Sequence, residues 1–212
     1  MSTMKNLDNL LFNPDFFFRN ISKNKVSLKY PALIILINAI FATVSGVMTI
    51  NAFMGNTEFS STAQSFATIT TLIVAAGAFI GVFLWWLILS GIFYAISYIF
   101  DSKGSFWKTL EFTGYGFVPQ IASSFLNLII MYKLLPSLDL SSVLTQNVRD
   151  IFSNNPLYYT SSIIGIVCLL LSANIWIYAL LHARNLSIKS ARLTVCIPIG
   201  IAILYQIYLL LF

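Results

Sequence analysis

Residues 67–100 read ATITTLIVAAGAFIGVFLWWLILSGIFYAISYIF, and no charged side chain occurs between Glu58 and Asp101. At 1.5 Å of rise per residue a helix of that length reaches about 50 Å, against roughly 30 Å for the hydrocarbon layer of a bilayer. A soluble fold has little reason to build so long an uncharged rod. The stretch predicts a transmembrane helix at about 70–98 that tilts or projects from the layer.

The same signature recurs outward from it. Upstream, Pro31 suits a first helical position, where its missing N–H costs nothing, and an uncharged run follows to Gly55, predicting a span at about 31–54. Downstream, apolar runs predict spans at about 113–135, 157–181 and 193–212. Between Pro136 and Pro156, apolar residues at 140, 143, 144, 148, 151 and 152 keep a helical spacing and predict a short surface helix over 139–152. With 58% hydrophobic and 9% charged residues, the 212-residue chain reads as one membrane domain with no room for a soluble one. The expected fold class is all-α: a polytopic bundle of about five transmembrane helices with short interfacial amphipathic helices.

Residues 1–30 form an N-terminal cytoplasmic or interfacial segment. Within it, Asn9 to Ser22 sets Leu10, Leu11, Phe12, Phe16, Phe17 and Phe18 beside Asp15 and Arg19. This suits an amphipathic segment in the headgroup region, or a tail packed beneath the bundle. The first apolar run is too long for a cleaved signal peptide. Cys168 and Cys196 lie inside apolar runs and read as packing residues.

The net charge of +5 comes from Lys and Arg that flank apolar runs instead of forming a patch, so it speaks for orientation and not for nucleic acid. Lys5, Arg19, Lys23, Lys25, Lys29, Lys103, Lys108, Arg184, Lys189 and Arg192 fall on one side, Lys133 and Arg149 on the other. The basic side is expected in the cytoplasm, with the N-terminus inside and the C-terminus outside. The sequons at Asn20 and Asn185 then face away from the glycosylation machinery.

No predicted span carries a charged side chain in its interior, which argues against an ion pump, a proton-coupled transporter or an intramembrane metalloprotease. His182, the one histidine, sits at a helix end beside Arg184 and reads as interfacial. Phosphate loops, zinc spacings and nucleophile elbows are absent, so no catalytic residue, metal or cofactor is expected. The polar groups inside the spans are amides: Asn38, Asn51, Gln120, Asn127, Asn174 and Gln206. They can act as interhelical hydrogen bonds worth about 1 kcal/mol each, or line a polar path. Gly77 and Gly81 form a small-xxx-small pair suited to helix packing, and Trp85 and Trp86, in mid-span, read as packed inside the bundle.

The stretch Gly104-Ser-Phe106-Trp-Lys-Thr-Leu-Glu-Phe-Thr-Gly114-Tyr115-Gly116-Phe-Val-Pro119 resembles the entry to the third span in the Yip1 domain family, where a Gly-Tyr pair is followed closely by Pro. Asn13-Pro14-Asp15-Phe16-Phe17 is similar to that family's Pro-then-Phe element ahead of the first span. The eukaryotic members' long N-terminal region, with its Asp-Leu-Tyr-Gly-Pro type element, has no counterpart, so the chain looks like the shorter prokaryotic members. The resemblance implies five spans, a cytoplasmic N-terminus and the plasma membrane. Independently of it, Gly114 and Gly116 permit close backbone approach, and Pro119 permits or kinks an early helical turn.

Two functions are expected to compete. One is a non-enzymatic adaptor or organiser in contact with membrane lipids and with a membrane-protein partner or a second copy of itself. The other is a permeation or lipid-moving protein for a neutral or zwitterionic cargo, with Asn38, Gln120, Asn127 and Asn174 lining the path. Amides converging on one cavity favour the second; amides scattered over separate helix contacts favour the first.

Overall fold

The computed structural model describes residues 7–55, 61–138 and 155–211; the surface helix expected over 139–152 lies outside the described residues. Two short helices lead, α1 (Leu7–Phe12) and α2 (Pro14–Ser22). The break between them is local chemistry. Asn13 accepts a hydrogen bond from the Phe16 N–H at 3.3 Å, and Pro14 fills the first position of α2.

Among the described residues, five helices are long and apolar enough to cross a membrane: α3 (Lys29–Gly55), α4 (Ser61–Tyr98), α6 (Val118–Leu134), α7 (Pro156–Ala183) and α8 (Ile188–Leu211). The expected all-α bundle with five spans is therefore what the chain forms. Helix α4, at 38 residues, is about 57 Å long and must project beyond or tilt through the apolar layer.

The third span differs from the expected continuous helix starting near 113. A separate helix, α5 (Phe106–Tyr115), ends first, and α6 starts after a turn at Gly116-Phe117. The cause is Pro119, the second residue of α6: it has no N–H to offer the Tyr115 carbonyl, and its ring crowds that carbonyl.

Helix α5 is wedged among α3, α4 and α7, and everything from Thr109 to Tyr115 is buried. Further pairings run α3 with α4 and α6, α7 with α6, α8 and α2, and α4 with α8. The rim is apolar and faces outward, as at Ile73, Leu84, Leu170, Ile201 and Leu204, as lipid contact requires. Cys168 is buried and Cys196 faces out.

Helices α1 and α2 combine the two readings of the N-terminal segment. Leu10, Phe17 and Phe18 are buried, with Phe17 edge-on to Tyr115 at 5.2 Å and Phe18 against Phe112 at 5.0 Å. Phe12 and Phe16 on the other face remain exposed. The α4–α5 and α7–α8 connections lie at this same end of the bundle, since Arg184 reaches Gly104 and His182 reaches Asp15.

Candidate functional sites at the N-terminal end and the centre of the bundle

The three glycines of the Gly104–Pro119 stretch each have a steric reason. Gly104 has φ +120°, a left-handed backbone, and a Cβ there would run into the Ala183 carbonyl oxygen. A Cβ on Gly114 would stand 2.6 Å from the Pro31 Cβ and 3.1 Å from the Trp86 indole nitrogen. On Gly116 it would enter the Trp176 ring. The glycines thus admit two indoles that donate to α5: Trp86 Nε1 to the Leu110 carbonyl at 3.0 Å and Trp176 Nε1 to the Thr113 carbonyl at 2.8 Å. Trp86 is buried as expected, whereas Trp85 is half-exposed. Phe106 meets Tyr94 edge-on at 5.5 Å, and Pro119 is buried. Tyr115 is buried too, which pushes its phenol well above the ordinary range, with the Glu111 carboxylate adding to the effect.

Arg184 is the side chain that the sequence reading misplaced. Expected in a hydrophilic loop, it is 1% exposed. Its Nε donates to Ser97 Oγ at 2.9 Å, Nη2 to Ser102 Oγ at 2.5 Å, and Nη1 to the Gly104 carbonyl. Its guanidinium lies 4.2 Å from the Tyr94 ring centre and 5.0 Å from that of Tyr98. The Arg184 carbonyl in turn accepts from the Lys103 N–H at 2.9 Å. Neutral oxygens and two π faces satisfy the cation, and among the described residues it has no carboxylate within ion-pair distance. The clamp ties the end of α4, the start of α5 and the end of α7 together. A visible signal was the pairing of an apolar span ending in Arg with a Ser-Lys-Gly-Ser loop rich in acceptors.

A second buried charge, Glu111, was also missed, because its helix reads as an entry segment. It is 4% exposed, and its burial raises its pKa, opposed by Lys108 and by a backbone bond from Ser27. Lys108 Nζ stands 3.0 Å from Glu111 Oε2, close enough for an ion pair but too poorly aligned for a hydrogen bond. The same ammonium donates to the Asn24 carbonyl at 3.1 Å and the Ile21 carbonyl at 3.4 Å, fastening the end of α2 to α5. The other end of α2 is held by His182, whose Nε2 is 2.8 Å from Asp15 Oδ1, with Arg19 also paired to Asp15.

The centre of the bundle is built differently. A cavity of about 510 Å³ touches all five spans, and Asn38, Gln120, Asn127 and Gln206 all line it. Asn38 donates to the Ile34 carbonyl at 3.0 Å and to Phe117's at 3.4 Å. Gln120 donates to Ser172 Oγ at 3.2 Å, and Asn127 accepts from Ser161 Oγ at 2.5 Å. Asn51 lies outside the cavity and meets Thr71 at 3.4 Å, and Asn174 is exposed on the bundle's rim. Gly81 lines the cavity; neither Gly77 nor Gly81 has a neighbour within 4 Å of a Cβ built there, so the pair makes no close helix contact within one chain.

A five-span helical membrane protein, sealed at one end by a glycine-cut aromatic core, is the class these features define. The Yip1 domain family matches residues 9–210, and the chain belongs to that family. A protein of Methanocaldococcus jannaschii, itself uncharacterized, is 39% identical over 129 residues, covering 61% of this chain and 90% of that one. No solved structure matches the chain.

Proposed function

We propose that the protein is a non-enzymatic adaptor or organiser of the plasma membrane, with its N-terminal end in the cytoplasm and its C-terminus outside. The observation that carries this reading is the fixed mounting of α1 and α2. Buried Phe17 and Phe18, the His182–Asp15 contact and the Lys108 bonds hold them from three sides. That mounting leaves Leu11, Phe12 and Phe16 exposed beside Arg19, Lys23, Lys25 and Lys29. Such a face combines apolar insertion with attraction to anionic headgroups, and it leaves side chains for a membrane-protein partner or a second copy.

The test is affinity purification from the protein's own membranes in mild detergent, comparing wild type with a Phe12→Ser, Phe16→Ser, Lys23→Glu, Lys25→Glu variant. A near-stoichiometric companion lost only in the folded variant supports the adaptor. An identical, companion-free homo-oligomer from both chains overturns it. The permeation reading has one observation in its favour, the convergence of Asn38, Gln120 and Asn127 on a single cavity. Flux of a neutral solute into proteoliposomes tests it.

A further inference from the structure

The cavity touching all five spans stops, towards the N-terminal end, at Leu89, Phe117 and Trp176, which are 5% exposed or less. Beyond them on that side come Phe93, Ala179 and Leu180, all fully buried. The space is therefore a chamber with a packed floor. Its walls are mostly apolar, with Val82, Leu169 and Ile199 among them, and among the described residues no ionisable side chain lines it. Set into those walls are the amides Asn38, Gln120, Asn127 and Gln206.

Hydrogen-bonding capacity is left over. Gln120 spends one N–H on Ser172, and its amide oxygen is engaged by no protein donor among the described residues. A charged headgroup brought here would lose its hydration without gaining a counterion, which is strongly unfavourable at low dielectric. A purely apolar guest would leave the Gln120 amide oxygen without a donor. The volume falls within the roughly 300–1,000 Å³ of small-molecule sites and is too small for a two-chain lipid.

We propose that the chamber is a binding site for an uncharged, hydroxyl-bearing, single-chain amphiphile of monoacylglycerol size. Its chain lies along the Val82, Leu169 and Ile199 walls, and its hydroxyls bond Gln120 and the neighbouring amides. The inference goes beyond the adaptor reading and requires no passage across the membrane.

The probe is a diazirine-bearing monooleoylglycerol, photolysed with the purified chain in phosphatidylcholine nanodiscs, with the labelled residues located by mass spectrometry. The expected result is labelling within 82–89 and 120–127 that unlabelled monooleoylglycerol competes away and lysophosphatidylglycerol does not. Ala202→Phe, which fills the chamber, should abolish it, and Gln120→Leu should weaken it about tenfold, equivalent to ~1.4 kcal/mol. Retention of fold in each variant is checked by size exclusion and thermal melting; if Ala202→Phe does not fold, Gln120→Leu decides. Labelling confined to rim residues such as Leu170 and Ile201, equal competition by the charged lysolipid, or undiminished labelling in the folded variants overturns the proposal.

Discussion

The N-terminal end and the middle of this bundle place polar groups in an apolar body by opposite means. At the N-terminal end, charges are given partners: buried Arg184 has three oxygens and two tyrosines, and partly buried Lys108 has two carbonyls and the buried Glu111. Glycines are cut into the backbone there so that indoles can reach it. In the middle, among the described residues, no charged group lines the chamber, and its polar side chains are amides together with Ser123 and Ser124. The difference teaches that ionic groups survive near the end of a bundle, where broken helices expose spare carbonyls and turn hydroxyls as partners. Deeper in, most carbonyls are spent inside the helices, and neutral amides and hydroxyls satisfied by a few bonds, such as those of Asn38 to the Ile34 and Phe117 carbonyls, take the place of charges.

The sharpest way to break that contrast is Gly116→Val, which sets branched carbons inside the Trp176 ring. Overpacking on a backbone that cannot yield should cost about 3 kcal/mol or more, seen as loss of a monodisperse peak and of the melting transition. Arg184→Met comes next. It removes three charge-assisted bonds and should cost about 2–3 kcal/mol by denaturant unfolding, with Arg184→Lys recovering less than half, because a point charge cannot address three directions. If lysine restores stability fully, the clamp is not directional.

In the middle, Asn127→Leu should cost about 1 kcal/mol, since Ser161 loses its acceptor, while Asn174→Leu on the rim should change stability by less than ~0.5 kcal/mol. Equal effects would dissolve the distinction between lining and rim amides. The smallest effect concerns pH. Because burial raises the Glu111 pKa above its ordinary 4.5, the folded state holds that proton more tightly than the unfolded one. This contribution is present in full below the ordinary value and is lost as pH rises through the folded one. Melting temperatures measured upward from pH 4.5 should show that decline in wild type, and Glu111→Gln should lack it. A decline of the same size in the glutamine variant would remove Glu111 as its source.

The amphipathic character of Asn9 to Ser22 could be read from the sequence, whereas its division into two helices at Asn13-Pro14 was not read, although that cap and that proline act within one turn. Gly114, Gly116 and Pro119 could be noticed, but not assigned to Trp86 and Trp176, whose indoles arrive from other helices. The amides could be named, yet which of them share a chamber depends on the rotation of each span about its own axis. In helices apolar on all sides, no periodic stripe reports that rotation.

What the sequence determined by itself is the membrane and the five spans, because hydrophobic length against bilayer thickness is a local, one-dimensional quantity. Only the tertiary structure decided that Arg184 and Glu111 are buried, that Asn38, Gln120, Asn127 and Gln206 face one chamber, and that Asn174 does not. Those outcomes depend on which helix stands beside which, and long-range packing, not the chemistry of neighbours in the chain, sets that.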